Sequence, residues 1–235
     1  MTATILLTRP RAASERLREK LRSRGVKICV SPLIEPEFAT RAPDLRGSRG
    51  VIFTARTAVD AFARLCPDDA PRAYAVGDAT AEAARAAGMR VVSAGGDADA
   101  LVRRILADGE KGPLMHLRGE HSRGAVAGRL TEAGCPTREA VLYRQVEQPF
   151  TPGARALIDG GAPVIVPLFS PRTAGIFSRR CRGRAPLLVA AMSPAVAEAV
   201  RVECRRVVVA KEPTQAAMLA AIDGLLDAAH DLEGG

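Results

Sequence analysis

The chain has 235 residues, enough for one large or two small domains with buried cores. A hydrophobic content of 47% excludes a disordered chain, and no apolar run approaches the roughly 18 residues a membrane span needs. The net charge of +8 attracts anions, but aromatics make up only 3%, tryptophan is absent and no basic run is long, so a small polyanionic ligand suits the composition better than nucleic acid.

The opening "MTATILLTRPRAASERL" has no basic segment before its apolar stretch, so it reads as a strand entering a domain, not a signal peptide, and a cytoplasmic location is expected. "ERLREKLRSRG" follows as a helix closed by Gly25. "SPLIEPEF" (residues 31–38) carries Pro32 and Pro36, which suit an exposed edge strand or connector. "GVIF" is the next strand, and Thr54 directly after it is expected to cap the helix beginning in "ARTAV". "RAYAV" ends at Gly77 and Asp78, which open a helix containing Thr80 and closed by Gly88. "PLMHL" places His116 in a strand as a satisfied residue, His121 follows a turn, and "VLYRQVEQPF" (residues 141–150) with Pro149 reads as a second connector. "PVIVPLF" leads into Ser170 as cap and Pro171 at the first helical position, and "PLLVAA" leads into Ser193 and Pro194 in the same way. His230 falls in a tail expected to be frayed.

The chain repeats itself. "FTARTA" (residues 53–58) and "FSPRTA" (residues 169–174) are nearly one phrase, and the segment from Leu7 to Gly25 matches that from His116 to Gly134, setting Arg9 against Arg118. "YAVGDATAEAARAAG" matches "VAAMSPAVAEAVRVE", and "GGDADALVRRIL" matches "KEPTQAAMLAAI". Four units repeated in order signify an internal duplication. Short, continuous apolar runs alternating with helical segments give an α/β fold, with two doubly wound parallel-sheet domains of similar topology joined by a two-stranded linker. If the connectors 32–38 and 141–148 run side by side, residues 1–31 and 149–235 form one discontinuous domain and residues 39–140 an inserted one. Two consecutive domains divided near residue 111 are the alternative.

Several helices thus start directly at the carboxyl ends of parallel strands, where open α/β sheets bind ligands. Each exposed start contributes about 0.3–1 kcal/mol toward an anion, so only an array would hold a polycarboxylate. Ser, Thr and Asp at these places also cap helices with no ligand present. Arg9 and Arg118 are candidate carboxylate contacts, with buried structural ion pairs as the other reading. Tyr143 opens the second connector, as a proton donor or as an ordinary edge-strand tyrosine. No dinucleotide, nucleoside-triphosphate or metalloprotease motif occurs, and the five cysteines lack C-x-x-C spacing, so no cofactor or metal is expected and the thiols read as buried and reduced.

"LLTRP", "GVIFTARTAV", "YAVGDATA", "VLYRQ", "LFSPRTA" and "KEPT", in this order and spacing, resemble the uroporphyrinogen-III synthase family over nearly the whole chain. The resemblance implies two α/β lobes, the discontinuous division, and cofactor-free chemistry on hydroxymethylbilane, a linear tetrapyrrole with eight carboxylates. Water is lost to give an azafulvene, the fourth ring attacks to form a spiro intermediate, and the ring closes inverted. By the same resemblance Tyr143 protonates the leaving hydroxyl, and Thr54, Thr80 and Ser170 are hydroxyl-bearing turn positions lining the cleft. Gly77 and Arg172 contribute backbone amides. Ala55 stands where the family often has Ser, and Ser193-Pro194-Ala195-Val196 replaces a Gly-x-Thr-Thr turn, which shifts the expected contacts at those points toward main-chain donors. A monomer is expected. A non-catalytic two-lobe sensor of small carboxylates explains the duplication and the caps equally, though not Tyr143 or the ordered phrases. A two-lobe glycosyltransferase lacks a nucleotide-sugar site in the sequence.

Overall fold

The computed structural model describes residues 3–66, 68–69, 71–122 and 124–231. The chain divides into two compact units, Met1–Glu35 with Val146–Gly235, and Pro36–Gln145.

In the first unit, strand β1 (Thr4–Leu7) leads into helix α1 (Arg11–Leu21), a 3-10 turn (Arg22–Arg24) and β2 (Lys27–Val30). Gly25 closes that turn at φ 65°, a left-handed conformation that favours glycine. The remainder of the unit is α6 (Pro152–Asp159), β9 (Val164–Leu168), α7 (Pro171–Arg180), β10 (Leu187–Ala191), α8 (Pro194–Glu198), β11 (Arg206–Val209) and α9 (Gln215–Asp231). Its five strands lie in the order β11-β10-β9-β1-β2, every neighbouring pair parallel. The central strands are buried along their whole length, which is why they read as unbroken apolar runs. Alternate side chains serve two cores. Leu6, Val166 and Val189 pack with Phe150 and Phe177 on one face, and Ile5, Leu7 and Leu188 pack with Leu17, Leu21 and Ile222 on the other. Arg24 pairs with Asp223 through both carboxylate oxygens and so ties the end of α1 to α9. The backbone at His230 belongs to α9, which corrects the expectation of a frayed tail there, and its side chain lies outside the described ones.

The second unit holds β4 (Gly50–Phe53), α2 (Arg56–Leu65), β5 (Arg72–Ala75), α3 (Asp78–Ala86), β6 (Arg90–Ser93), α4 (Ala98–Ala107), β7 (Leu114–Gly119) and α5 (Val126–Glu132). The long strand β8 (Thr137–Glu147) follows, and β3 (Ile34–Phe38) comes before β4. The sheet runs β3-β8-β7-β4-β5-β6, parallel from β8 to β6. The connector strands β3 and β8 pair in opposite directions: Ala39 N–H donates to Leu142 at 2.8 Å and Gln148 N–H to Leu33 at 2.9 Å. Pro36 of β3 is tolerated because the strand lies at the sheet edge. Phe53 and Phe62 meet edge-on at 5.9 Å in the core of one face, while Ile52 packs with Leu101 and Ile105 on the other.

The duplication is visible in the sheet orders. Read from the outer edge, β11-β10-β9-β1-β2 of one unit corresponds to β6-β5-β4-β7-β8 of the other. Each chain segment winds outward from a central strand and then resumes on its other side. The winding therefore reverses between β9 and β1 in the first unit, and between β4 and β7 in the second. An alternation of strands and helices produces this fold because each strand buried on both faces needs a helix on each side.

Candidate active site

Open α/β sheets bind ligands beyond the carboxyl ends of their strands, where the winding reverses. In the second unit a cavity of about 250 Å³ occupies that place. Thr54 and Ala55 line it after β4, Val76 after β5, Gly119 at the end of β7, His121 and Ser122 beyond it, and Tyr143 from β8. The β7–β8 register shifts between Arg118 and Gly119, so that Gly119 stands opposite Tyr143. The tyrosine ring lies directly over that glycine: a Cβ added there would come within 2.6 Å of a ring carbon.

Tyr143 is 9% exposed, and among the described residues its hydroxyl has no hydrogen-bond partner. Burial pushes its phenol above the ordinary value of 10, so it stays protonated at neutral pH and carries a proton to give when it first meets a ligand. Its other side borders a second hollow of about 310 Å³ lined by Glu37, Phe38, Val141 and Arg144, among others. Arg144 is paired there with Glu37 at 2.8 Å.

Helices α2 and α3 of this unit, like α5, begin without a side-chain cap. The N-cap of α2 is Ala55, and that of α3 is Gly77. Asp78, the first residue of α3, accepts a hydrogen bond from Ser93 at 2.7 Å. Thr80 is buried in the first turn of α3, 7% exposed, so its side chain serves packing more than surface recognition. Thr54 does not cap α2, a correction to the sequence reading. The repeated phrases align residues 53–58 with 169–174, but the structural match is shifted by one. Val76 N–H donates to Phe53, and Met192 N–H donates to Leu168, marking Phe53 and Leu168 as the equivalent strand ends. Ala55 and Ser170 are the equivalent caps, so the counterpart of Thr54 is Phe169. Pro171 sets this frame in the first unit because it fits only the first helical position, whereas Arg56 leaves the second unit one residue later in its phrase.

The remaining candidates lie in the first unit, at the carboxyl ends of β1, β9 and β10. The Ser170 hydroxyl accepts from Thr173 N–H at 3.2 Å and meets the Thr173 hydroxyl at 3.0 Å, as a structural cap does. Arg172 is exposed at the second position of α7. Ser193 is the N-cap residue of the five-residue α8, without a side-chain cap bond. Arg9 stacks over the Phe169 ring at 4.2 Å rather than entering an ion pair with a described carboxylate. Arg118, its partner in the repeat, is engaged by the protein itself: Glu139 lies at 2.9 Å, and its guanidinium donates to the carbonyls of Gly119 and Glu120 at 2.9 Å. Of the two readings weighed for Arg118, a structural ion pair is the one observed.

That ion pair belongs to a polar chain, buried at its histidine, that the sequence alone did not bring together. His116 has no exposed surface, and its Nδ1 is 3.2 Å from Glu139 while its Nε2 is 3.2 Å from the Thr54 hydroxyl. Burial first, and then the charge of Arg118, hold the His116 pKa below 6.5 against the opposing pull of Glu139, so the ring is neutral at physiological pH. Burial opposes ionisation of Glu139, but the hydrogen bond and charge of Arg118, with His116, outweigh it and keep the carboxyl below 4.5. The signal for this chain was present in the repeat, which sets His116 against Leu7. Only strand register reveals Glu139 as its neighbour.

A lowered histidine pKa in the folded state means that the unfolded chain binds the extra proton more tightly. The stability it confers is complete above the ordinary value of 6.5 and is lost as pH falls through that value toward the lowered folded one. Urea midpoints are therefore expected to fall between about pH 7.5 and pH 5.5, and His116→Leu should remove most of that fall.

Comparisons with known proteins agree with this architecture. A family model described as "Uroporphyrinogen-III synthase HemD" matches residues 15–220. Among solved structures, uroporphyrinogen-III synthetase from Helicobacter pylori superposes with a TM-score of 0.71 at 18% identity, covering 96% of this chain and 100% of that one. A mutant uroporphyrinogen III synthase from the extremely thermophilic bacterium Thermus thermophilus gives a TM-score of 0.53 at 15% identity, covering 98% of this chain and 99% of that one. No curated protein matches. At these identities the structural likeness speaks for the fold, while the family match spans most of the sequence: the chain belongs to the uroporphyrinogen-III synthase family, whose members act in porphyrin and haem biosynthesis.

Proposed function

We propose that this chain cyclises hydroxymethylbilane to uroporphyrinogen III with inversion of the fourth pyrrole ring, acting as a hydro-lyase. The observation that carries this reading is a largely buried tyrosine whose hydroxyl has no partner among the described residues, lining a cavity at the switch point of a parallel sheet. At about 250 Å³ the cavity is smaller than the ~300 Å³ and more of a usual small-molecule pocket, and it suits one substituted pyrrole ring better than a whole tetrapyrrole.

Tyr143 donates its proton to the hydroxyl of the hydroxymethyl group as the C–O bond breaks, so that water leaves and an azafulvene remains. The substituted carbon of the fourth ring attacks the exposed methylene, and the resulting spiro intermediate fragments and recloses inverted. The uncapped starts of α2 and α3 offer main-chain N–H groups to substrate carboxylates, with Gly77 contributing through its backbone and Thr80 through its turn. Arg9, Ser170, Arg172 and Ser193 are the corresponding candidates of the first unit. Holding the flexible substrate by several carboxylates removes the entropy cost of bringing its ends together, which favours the inverted closure. We place the activity in the cytoplasm on a monomeric chain without a cofactor; the five unpaired cysteines suit a reducing compartment.

The test is to supply freshly prepared hydroxymethylbilane, oxidise the products and separate the porphyrin isomers. An excess of isomer III is the expected result, and isomer I alone, the product of unassisted closure, would overturn the assignment.

A further inference from the structure

We propose that Thr54, His116 and Glu139 form a proton relay in the wall of the Tyr143 cavity, in which Thr54 accepts the N–H of a substrate pyrrole ring and passes its own proton to His116. The proposal rests on the synthase reading above and assigns residues to the half of the dehydration that Tyr143 leaves unserved.

The directions of the hydrogen bonds follow from the partners. Glu139, ion-paired with Arg118 at 2.9 Å, is a carboxylate and only accepts. His116 Nδ1, 3.2 Å from it, therefore carries the ring proton. In the neutral ring Nε2 is then a lone-pair acceptor, and the group facing it is the Thr54 hydroxyl at 3.2 Å. Thr54 gives its proton inward, which leaves its oxygen an acceptor toward the cavity it lines. Such an oxygen is ill suited to a substrate carboxylate and suited to a pyrrole N–H.

The duplicated unit supplies an independent argument. Strand register pairs His116 with Glu139 in one unit and Leu7 with Val30 in the other, both pairs separated by 23 residues, and the counterpart of Thr54 is Phe169. The same fold thus packs Leu, Val and Phe at the three places where the second unit holds His, Glu and Thr. Burying a histidine costs free energy that an apolar residue avoids. The polar trio is not a requirement of the fold, and its outermost member, Thr54, borders the cavity lined by Tyr143.

The step balances. As the C–O bond of the hydroxymethyl group breaks, its electron pair leaves on oxygen, which takes the Tyr143 proton and departs as water. The ring nitrogen becomes acidic as its lone pair forms the new C=N bond. Its proton goes to Thr54 Oγ1, whose own proton moves to His116 Nε2. The result is a neutral azafulvene, a Tyr143 phenolate and a His116 imidazolium beside Glu139, with no net change of charge. On ring closure the nitrogen recovers its proton through Thr54, and the phenolate takes the C–H proton released as the new pyrrole rearomatises. Thr54 is the catalytic residue here, while His116 and Glu139 act through it as positioning residues.

The test combines kinetics with a spectroscopic signature on the full chain. His116→Leu with Glu139→Val installs the apolar pair of the other unit, and its thermal midpoint is expected not to fall. Its kcat for isomer III should drop about 10²-fold with KM changed by no more than about threefold. Thr54→Val should lose as much and Thr54→Ser should retain activity. Nitrogen-15 NMR of the substrate-free protein near neutral pH should show His116 neutral with its proton on Nδ1. A wild-type kcat in Thr54→Val, or His116 found protonated on Nε2, overturns the relay, and these two observations decide the matter should the double variant fail to fold. If wild-type protein makes isomer III while Thr54→Val is unimpaired, the relay alone is wrong. If wild-type protein makes only isomer I, the synthase reading is wrong, and the NMR result still reports the tautomer.

Discussion

Tyr143→Phe is expected to lower kcat by about 10³-fold while leaving KM nearly unchanged, a loss of about 4 kcal/mol in transition-state stabilisation. The substitution removes one oxygen and keeps the ring that covers Gly119. Since the hydroxyl has no partner among the described residues, its removal strands no protein donor or acceptor, and folding stability should change little. The effect falls on the one step in which a poor leaving group needs a proton. Burial keeps the phenol protonated across the physiological range, so the wild-type donor is ready before substrate arrives. Steady-state kinetics with freshly prepared hydroxymethylbilane and separation of the porphyrin isomers measure the effect. Unchanged kcat would retire the tyrosine as general acid and leave the helix starts as the principal catalytic feature.

The second large effect is expected at a residue with no side chain. Gly119→Ala should cost about 1–3 kcal/mol of stability and reduce activity at least as far as Tyr143→Phe. Its new Cβ would lie 2.6 Å from one carbon of the Tyr143 ring and 2.9 Å from the hydroxyl oxygen, so the ring must leave its place. The hydroxyl would move with the displaced ring. Removing the large ring supplies the control. In a Tyr143→Ala background, Gly119→Ala should cost much less stability, as a double-mutant cycle in urea would show. Equal costs in the two backgrounds would mean that the glycine is needed for the backbone shift between Arg118 and Gly119 and not for the ring above it.

The two effects separate chemistry from placement. In the proposed mechanism Tyr143 supplies a proton, and Gly119 leaves the space in which the ring that carries it lies at the end of β7. The Arg118 ion pair with Glu139 follows the same division: in the repeat it is the partner of Arg9, yet it supports His116 and the neighbouring carbonyls, and Arg9 stacks on Phe169.

Much of this was written in the sequence by itself. Unbroken apolar runs such as "PLLVAA" mark strands buried on both faces, because a parallel strand covered by helices has no wet side to record as polar alternation. Ser170 followed by Pro171 fixes a helix start to the residue, since proline fits the first helical position and serine can accept a free N–H there. The duplication announced two sheets of one topology, and the ordered phrases pointed to the family. Tertiary structure decided what neighbours across strands do. Glu139 and His116 are 23 residues apart and share no local motif, so only parallel register makes them partners. The same register, and not the letters of the repeated phrase, sets Ala55 against Ser170 and turns the Thr54 hydroxyl toward His116 instead of its own helix. Local patterns encode elements because backbone hydrogen bonding and capping are local. A site assembled from three strand ends depends on pairing and burial, which arise only when distant segments pack.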